Sequence, residues 1–364
     1  TEPSVIDTAM GIVMLIVVLE GSRRTIGMSL TVIALLFLAY AYLGPLVPGA
    51  FRHKGFDVVS LVSFLYSTTE GIFSLPMGVS ATYIIIYILF GSFLTQSGAG
   101  QLFVDLAHAA TGRLRSGPAQ TTILSNALMG IISGSPVANV VTTGAFAIPL
   151  MKETGYPMLT AAALLAVAAT GSMFTPPVMG AGAFMIADYL AVPYGDVVKA
   201  AVIPAALFYL SLIIFADITA VRTGLKGLAI DQLPDWKQAL AKRGHLLIPI
   251  IALVVFIVMG WSALKTAFWC ILLMLALSWI KPETRMRFNK IITALETGSR
   301  DTIVIASACA VSGIIVGADA ATGLSVKLSS YLNALSGNNP VFALILTMLA
   351  ALILGLSLPP TPVY

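Results

Sequence analysis

The apolar residues of this chain fall in blocks about as long as a lipid bilayer is thick, and that spacing leaves few folds open. Blocks at 26–48, 78–95, 158–174, 199–220, 246–280 and 340–358 are nearly free of charge. A helix needs about 20 such residues to cross a hydrocarbon core of about 30 Å. Backbone amides and carbonyls are too costly to leave unpaired in lipid, so a spanning segment is either a helix or part of a closed barrel. The alternation that marks a membrane barrel strand is absent from these blocks. The expected fold is an all-α polytopic membrane protein.

Composition agrees. Only 10% of the 364 residues are charged, against about 25% in a soluble domain. The net charge of +4 would suggest nucleic acid for a soluble chain, but the basic residues gather between the apolar blocks. Arg23 and Arg24 follow the first run, 9–19. Arg222, Lys226, Lys237, Lys242 and Arg243 outnumber Asp231 and Asp235 in 221–245, the largest polar loop, and Lys281, Arg285, Arg287 and Lys290 follow block 246–280. This is the positive-inside pattern and places these loops in the cytoplasm. The lipid bilayer is the partner implied, and nucleic acid is not.

Enzyme chemistry is poorly represented. His53, His108 and His245 are scattered, no HExxH or paired-aspartate motif occurs, and Gly130-Ile-Ile-Ser-Gly134 misses the GxSG spacing by one residue. Cys270 and Cys309 sit inside apolar segments and read as core packing. No cofactor is expected. Asp188 and Asp217 read as span-end residues, and Asp319, within a small-residue stretch, is the better candidate for a functional membrane carboxylate.

Several local expectations follow. Residues 26–48 read as a full span ending at Pro45 and Pro48, and 98–116, with Asp105, His108, Arg113 and Arg115, as a helix end or interfacial helix. Block 246–280 reads as two helices in a tight hairpin with Lys265 at the turn. No cleavable signal peptide is expected, because no basic region precedes run 9–19.

The informative segments are apolar but interrupted. In 123–151, Gly134-Ser135-Pro136 breaks the middle, since Pro136 lacks an amide donor and Gly134 lets the backbone turn. The expected shape is a re-entrant hairpin with its tip at membrane depth, where exposed carbonyls and the side chains of Ser133, Ser135 and Asn139 offer hard oxygen ligands to a cation such as sodium. Thr175-Pro176-Pro177 forms a second break. An offset of 225 positions carries Gly98 onto Gly323 and Gly130 onto Gly355, and so aligns the first break with Gly355-Leu-Ser-Leu-Pro-Pro-Thr-Pro362. The same offset expects a counterpart of Thr175-Pro176-Pro177 at about position 400, so the second repeat is expected to be truncated. Repeated broken helices favour a carrier over a channel, a membrane enzyme or an assembly subunit.

Gly78-Val-Ser-Ala-Thr82, Ser97-Gly-Ala-Gly100, Ile132-Ser-Gly-Ser-Pro-Val-Ala-Asn-Val-Val-Thr-Thr-Gly144, Ile148-Pro-Leu-Met-Lys-Glu-Thr-Gly-Tyr156, Pro176-Pro-Val-Met-Gly180 and Gly313-Ile-Ile-Val-Gly317 occur in order along nearly the whole chain. Together they resemble the large membrane subunit of the tripartite ATP-independent periplasmic (TRAP) transporters, especially the fused permeases that work with TAXI-type binding proteins. The resemblance implies an inverted-repeat transporter of the cytoplasmic (inner) membrane of a bacterium or archaeon. It also implies Na+ as coupling ion, a small organic anion of the carboxylate class as substrate, a periplasmic substrate-binding protein as partner, and an elevator-like movement. The alternative is an ion-coupled carboxylate carrier of similar build that uses no binding protein.

By position, the resemblance implies sodium binding at Ser133, Gly134, Ser135, Val137, Ala138, Asn139 and Thr175, and at Gly355, Pro359 and Thr361 in the second tip. It implies substrate binding at Ser135, Asn139, Thr142, Thr143, Pro176, Pro177 and Asp319. The sequence departs from the family where Pro136 and Pro360 replace small or hydroxyl residues and Ser357 replaces Gly, which leaves backbone carbonyls as the ligands expected there. The implied organisation is a scaffold-like part at 1–76, a first transport repeat at 77–220, a cytoplasmic loop and connecting hairpin at 221–290, and the start of the second repeat at 291–364.

Overall fold

A computed structural model describes residues 4–225, 227–228, 233–337 and 339–355. The chain runs through α1 (Val5–Thr25), α2 (Met28–Tyr42), α3 (Val58–Ser67), α4 (Leu75–Val79), α5 (Ile85–Ser97), α6 (Ala99–Thr111), α7 (Gly117–Ser133), α8 (Pro136–Glu153), α9 (Met158–Thr170), α10 (Ala181–Tyr189), α11 (Tyr194–Thr223), α12 (Trp236–Arg243), α13 (Ile248–Val258), α14 (Ala263–Ser278), α15 (Phe288–Thr322), α16 (Leu324–Leu335) and α17 (Pro340–Gly355). No strand occurs among the described residues. Five runs there are long and apolar enough to cross a membrane: Val5–Thr25, Leu75–Ser97, Tyr194–Thr223, Trp236–Val258 and Phe288–Thr322. The all-α polytopic expectation holds.

Four expectations about individual segments are corrected. The short run 9–19 belongs to the 21-residue α1, because Ser4 and Asp7 close a capping box at its start and Glu20 pairs with Arg23 and Arg24 near its end. Block 26–48 is shorter than a full span. Its α-helix ends at Tyr42, and the chain passes into 3-10 turns at Gly44–Leu46 and Gly49–Phe51 around Pro45 and Pro48. At 1.5 Å per residue, 15 residues rise only about 22 Å. Loop 221–245 contains α12, started by Asp235, whose carboxylate accepts from the Lys237 amide at 2.9 Å. The expected hairpin in 246–280 is α13 and α14. Lys265 lies in the first turn of α14 and not in the connection, with its ammonium 4.2 Å from the Trp261 ring centroid.

The chain divides into two compact units, one of Thr1–Thr82 with Asp301–Tyr364 and the other of Tyr83–Arg300. In the first, Leu15, Leu30, Leu61 and Leu65 pack with Val311, Ile314 and Ala318 of α15. Gly313 and Gly317 allow the close approach. A Cβ at Gly313 would collide with the Gly71 carbonyl oxygen, and one at Gly317 would stand 2.8 Å from that of Glu70. In the second unit the helices meet through small residues, Ala119, Ala147, Ala161, Ala168, Ala216 and Ala220, around Ile123, Leu164 and Leu165. Small contacts let helix backbones approach where lipid provides no hydrophobic drive. Val202, Ile203, Leu207, Leu210 and Ile214 of α11 stay exposed, as a face turned to lipid would.

Candidate functional site

The break between α7 and α8 is a stop followed at once by a start. Gly134 takes a left-handed conformation (φ 56°) at the end of α7, the geometry that ends many helices and favours glycine. Ser135 then caps α8, its hydroxyl accepting from the Ala138 amide at 3.4 Å. Pro136 occupies the first turn of α8, where a missing amide costs nothing. The proline therefore opens a helix and does not distort one.

The two helices fold back on each other through a buried polar clasp. The Ser133 hydroxyl donates to Asn139 Oδ1 at 2.6 Å, and the Thr143 hydroxyl donates to Asn126 Oδ1 at 3.1 Å and to the Asn139 carbonyl at 2.7 Å. Asn126 in turn donates to the Thr122 carbonyl at 2.8 Å. Asn126, Asn139 and Thr143 are fully buried, and such groups are tolerated in an apolar interior when their partners are in place. Thr142 bonds the Ala138 carbonyl at 2.8 Å. Val137 is 74% exposed and turned away from the clasp.

The second break runs from the 3-10 turn Gly171–Met173 to the start of α10. Its Pro176–Pro177 peptide is cis, and Met179 is held at φ 55°, a conformation that L side chains resist. The Gly180 amide donates to the Met173 carbonyl at 2.7 Å and closes the loop. The Thr175 hydroxyl donates to the Gly171 carbonyl at 2.6 Å and also meets the Tyr209 hydroxyl at 2.9 Å. The Tyr194 hydroxyl reaches the Pro177 and Val178 carbonyls at 2.9 and 2.6 Å.

These two breaks touch. A Cβ at Gly134 would collide with the Met179 carbonyl oxygen, and one at Gly130 would come within 2.9 Å of Ser172 Cα and 3.2 Å of Thr175 Cβ. Ser133, Gly134, Ser135, Asn139 and Thr175 thus share one neighbourhood with Pro176 and Pro177. Sequence reasoning missed Asn126, Met179, Gly180, Tyr194 and Tyr209. Asn126, an asparagine inside an apolar run, and the motif Pro176-Pro-Val-Met-Gly180 were the available signals among them.

The remaining candidates have the following surroundings. Asp319 belongs to the first unit. There it accepts from the Ser325 amide at 2.8 Å and the Ser325 hydroxyl at 2.6 Å, joining α15 to α16 across Gly323. Gly355 is the last residue of α17, and Pro359 and Thr361 lie outside the described residues. Asp217 on α11 is paired with Arg115, Nε to Oδ1 at 2.7 Å, and Asp188 is exposed near the end of α10.

Among the described residues no three His, Cys, Asp or Glu side chains gather to hold a metal ion. Oxygen ligands at the paired breaks would come from carbonyls, hydroxyls and amides. The last carbonyls of α7 carry partial negative charge and the first amides of α8 partial positive charge. A cation and an anion therefore both find complementary ends at one tip.

An all-helical membrane protein with two broken helices seated on each other has the build of secondary transporters. The sequence pattern of the family described as "Tripartite ATP-independent periplasmic transporter, DctM component" matches residues 13–364. The chain belongs to this family, one of transporters and not of enzymes. It is 30% identical over 167 residues to the C4-dicarboxylate TRAP transporter large permease protein DctM of Pseudomonas aeruginosa, covering 45% of this chain and 39% of that protein. It is 24% identical over 284 residues to the putative TRAP transporter large permease protein of Haemophilus influenzae, covering 76% and 64%. Against the ectoine/5-hydroxyectoine TRAP transporter large permease protein UehC of Ruegeria pomeroyi it is 29% identical over 154 residues, covering 42% and 35%. The chain matches less than two thirds of the length of each of these relatives.

Proposed function

We propose that this chain is the substrate-translocating part of a sodium-coupled importer in the cytoplasmic membrane. Its cargo is a small organic anion of the carboxylate class, received from a periplasmic substrate-binding protein of the TAXI type. The observation that carries this reading is the seating of Gly134 against Met179, which brings the ends of two discontinuous helices together. Unwound backbone and half-helix ends are where such carriers hold substrate and coupling ion.

In this reading the carbonyls of the last turn of α7 and of the segment 171–179, with Ser133, Ser135, Asn139 and Thr175, surround the sodium ion. The first turn of α8, with Thr142 and Thr143 behind it, faces the substrate carboxylate beside Pro176 and Pro177. The hairpin of α7 and α8 is re-entrant, and the second sodium site would draw on Gly355 with Pro359 and Thr361, the last two outside the described residues. Import proceeds by an elevator-like shift of the part that bears the hairpin. A relative named for C4-dicarboxylates supports the carboxylate class.

Melting curves of the complete protein in sodium and in potassium test this. Sodium bound to the folded state raises Tm through mass action, and Ser135→Trp removes the increase. Identical curves in the two salts would overturn the sodium assignment.

A further inference from the structure

Tyr209 lies on the inner side of α11, in one buried cluster with Leu164, Leu165 and Ala168 of α9, while Leu207 and Leu210 close to it in sequence stay exposed. Phenylalanine would serve the packing there equally well. A buried hydroxyl, in contrast, needs a partner, and that of Tyr209 meets the Thr175 hydroxyl at 2.9 Å. Gly171 makes room for it, since a Cβ there would collide with the Tyr209 hydroxyl and stand 2.7 Å from the Phe208 ring. Phe208 packs edge-on against both Tyr209 and Phe174, with centroids 5.2 and 5.0 Å apart, and braces the tyrosine ring.

The two hydroxyls play different parts. A hydroxyl carries one proton and two lone pairs. The Thr175 proton goes to the Gly171 carbonyl at 2.6 Å, so the Tyr209 proton makes the 2.9 Å bond and fills one lone pair of Thr175 Oγ1. That oxygen keeps a single free lone pair. The bond to Gly171 lies within the second break and moves with it, whereas the bond from Tyr209 anchors the same oxygen to a different helix.

We infer that Tyr209 is a positioning residue for the coupling ion, an inference that rests on the sodium reading of the paired breaks. Its hydroxyl holds Thr175 Oγ1 in place, with one lone pair left for the ion, and does not touch the ion itself. An oxygen held in this way loses less freedom when the ion arrives, which is the general gain from preorganisation. Phenylalanine at position 209 keeps the packing and leaves the oxygen anchored only to its own loop.

The test is a titration of the complete protein with sodium chloride against potassium chloride at constant ionic strength, with the sodium Kd taken from the rise in Tm. Tyr209→Phe is expected to weaken that Kd about threefold to tenfold, while Tm in potassium alone falls only slightly. Tyr40→Phe is the matched control, since it also removes a tyrosine hydroxyl that donates a hydrogen bond, here to the Phe51 carbonyl at 2.7 Å in the other compact unit. Its sodium Kd should equal that of the parent. A hydroxyl with a structural role alone would lower Tm in potassium and leave the sodium Kd unmoved. An unchanged Kd in Tyr209→Phe, or an equal weakening in Tyr40→Phe, therefore overturns the inference and leaves the sodium reading standing. A parent whose Tm does not respond to sodium overturns the sodium reading itself, and the role of Tyr209 falls with it.

Discussion

The Ser133 hydroxyl donates to the Asn139 side-chain oxygen at 2.6 Å, so side chains tie the last residue of α7 to the first turn of α8 across a gap that no helical backbone bond spans. The pair is part of a clasp that includes Asn126 and Thr143.

Removing either end of this bond leaves a polar group without its partner in an apolar interior. Ser133→Ala and Asn139→Ala are each expected to lower stability by about 1–3 kcal/mol, with the larger loss at Asn139 because it also donates to the Asn126 carbonyl at 3.4 Å. A double-mutant cycle read by thermal unfolding should give a coupling of about 1 kcal/mol. Strict additivity would mean that the bond contributes nothing.

Gly134 has two reasons to be glycine, its positive φ and its contact with Met179. Gly134→Ala should cost at least about 1–2 kcal/mol for the left-handed conformation alone, and it should displace the 173–180 loop by collision. Lower Tm and lost uptake are the expected readouts. Gly78→Ala is the contrast, because Gly78 lies inside α4 with nothing near its missing Cβ. That change should leave Tm the same or higher.

Asp217 accepts from Arg115 and Ser116 while Arg115 remains 58% exposed. A pair this open to solvent contributes little. Asp217→Asn is expected to leave Tm and uptake nearly unchanged, and Arg115→Asp combined with Asp217→Arg should behave like the parent. Abolished uptake in Asp217→Asn would show that the carboxylate acts in transport.

Asp57 caps α3, and the Ser60 hydroxyl and amide hold its carboxyl below the usual carboxylate value of 3.8. A depressed folded value stabilises the native state above the unfolded value, and that contribution is lost as pH falls through the folded one. Asp57→Ala should therefore lower Tm near neutral pH, and the gap from the parent should close as the pH drops below about 3.8. A gap that stays constant across the titration would remove the charge from the explanation.

Much of this was legible in the sequence because membrane crossing is a matter of length and apolarity. The stop at Gly134 and the restart at Ser135-Pro136 were equally legible, being local rules written in adjacent residues. What the break would meet was not. Met179 and Gly180 lie about 45 positions further along, at the end of the motif Pro176-Pro-Val-Met-Gly180, and only the closed loop from Met173 to Gly180 brings the Met179 carbonyl to the tip. Tyr209 likewise reads as filler of block 199–220 until its hydroxyl meets that of Thr175, and Tyr194, just before that block, carries no signal until its hydroxyl finds the Pro177 and Val178 carbonyls. Block 26–48 was overread because counting apolar residues does not register how early the prolines at 45 and 48 convert the helix into tight turns.

Gly98 joins α5 to α6 in a left-handed conformation (φ 92°), and Gly323 joins α15 to α16 in the same way (φ 65°). The two positions stand 225 residues apart and belong to different compact units. One joint is thus present twice within a single polypeptide, under different surroundings. Stiffening each in turn with alanine makes the molecule its own control, since the backbone penalty is common to both and any difference between the two variants measures what the surroundings demand of that joint.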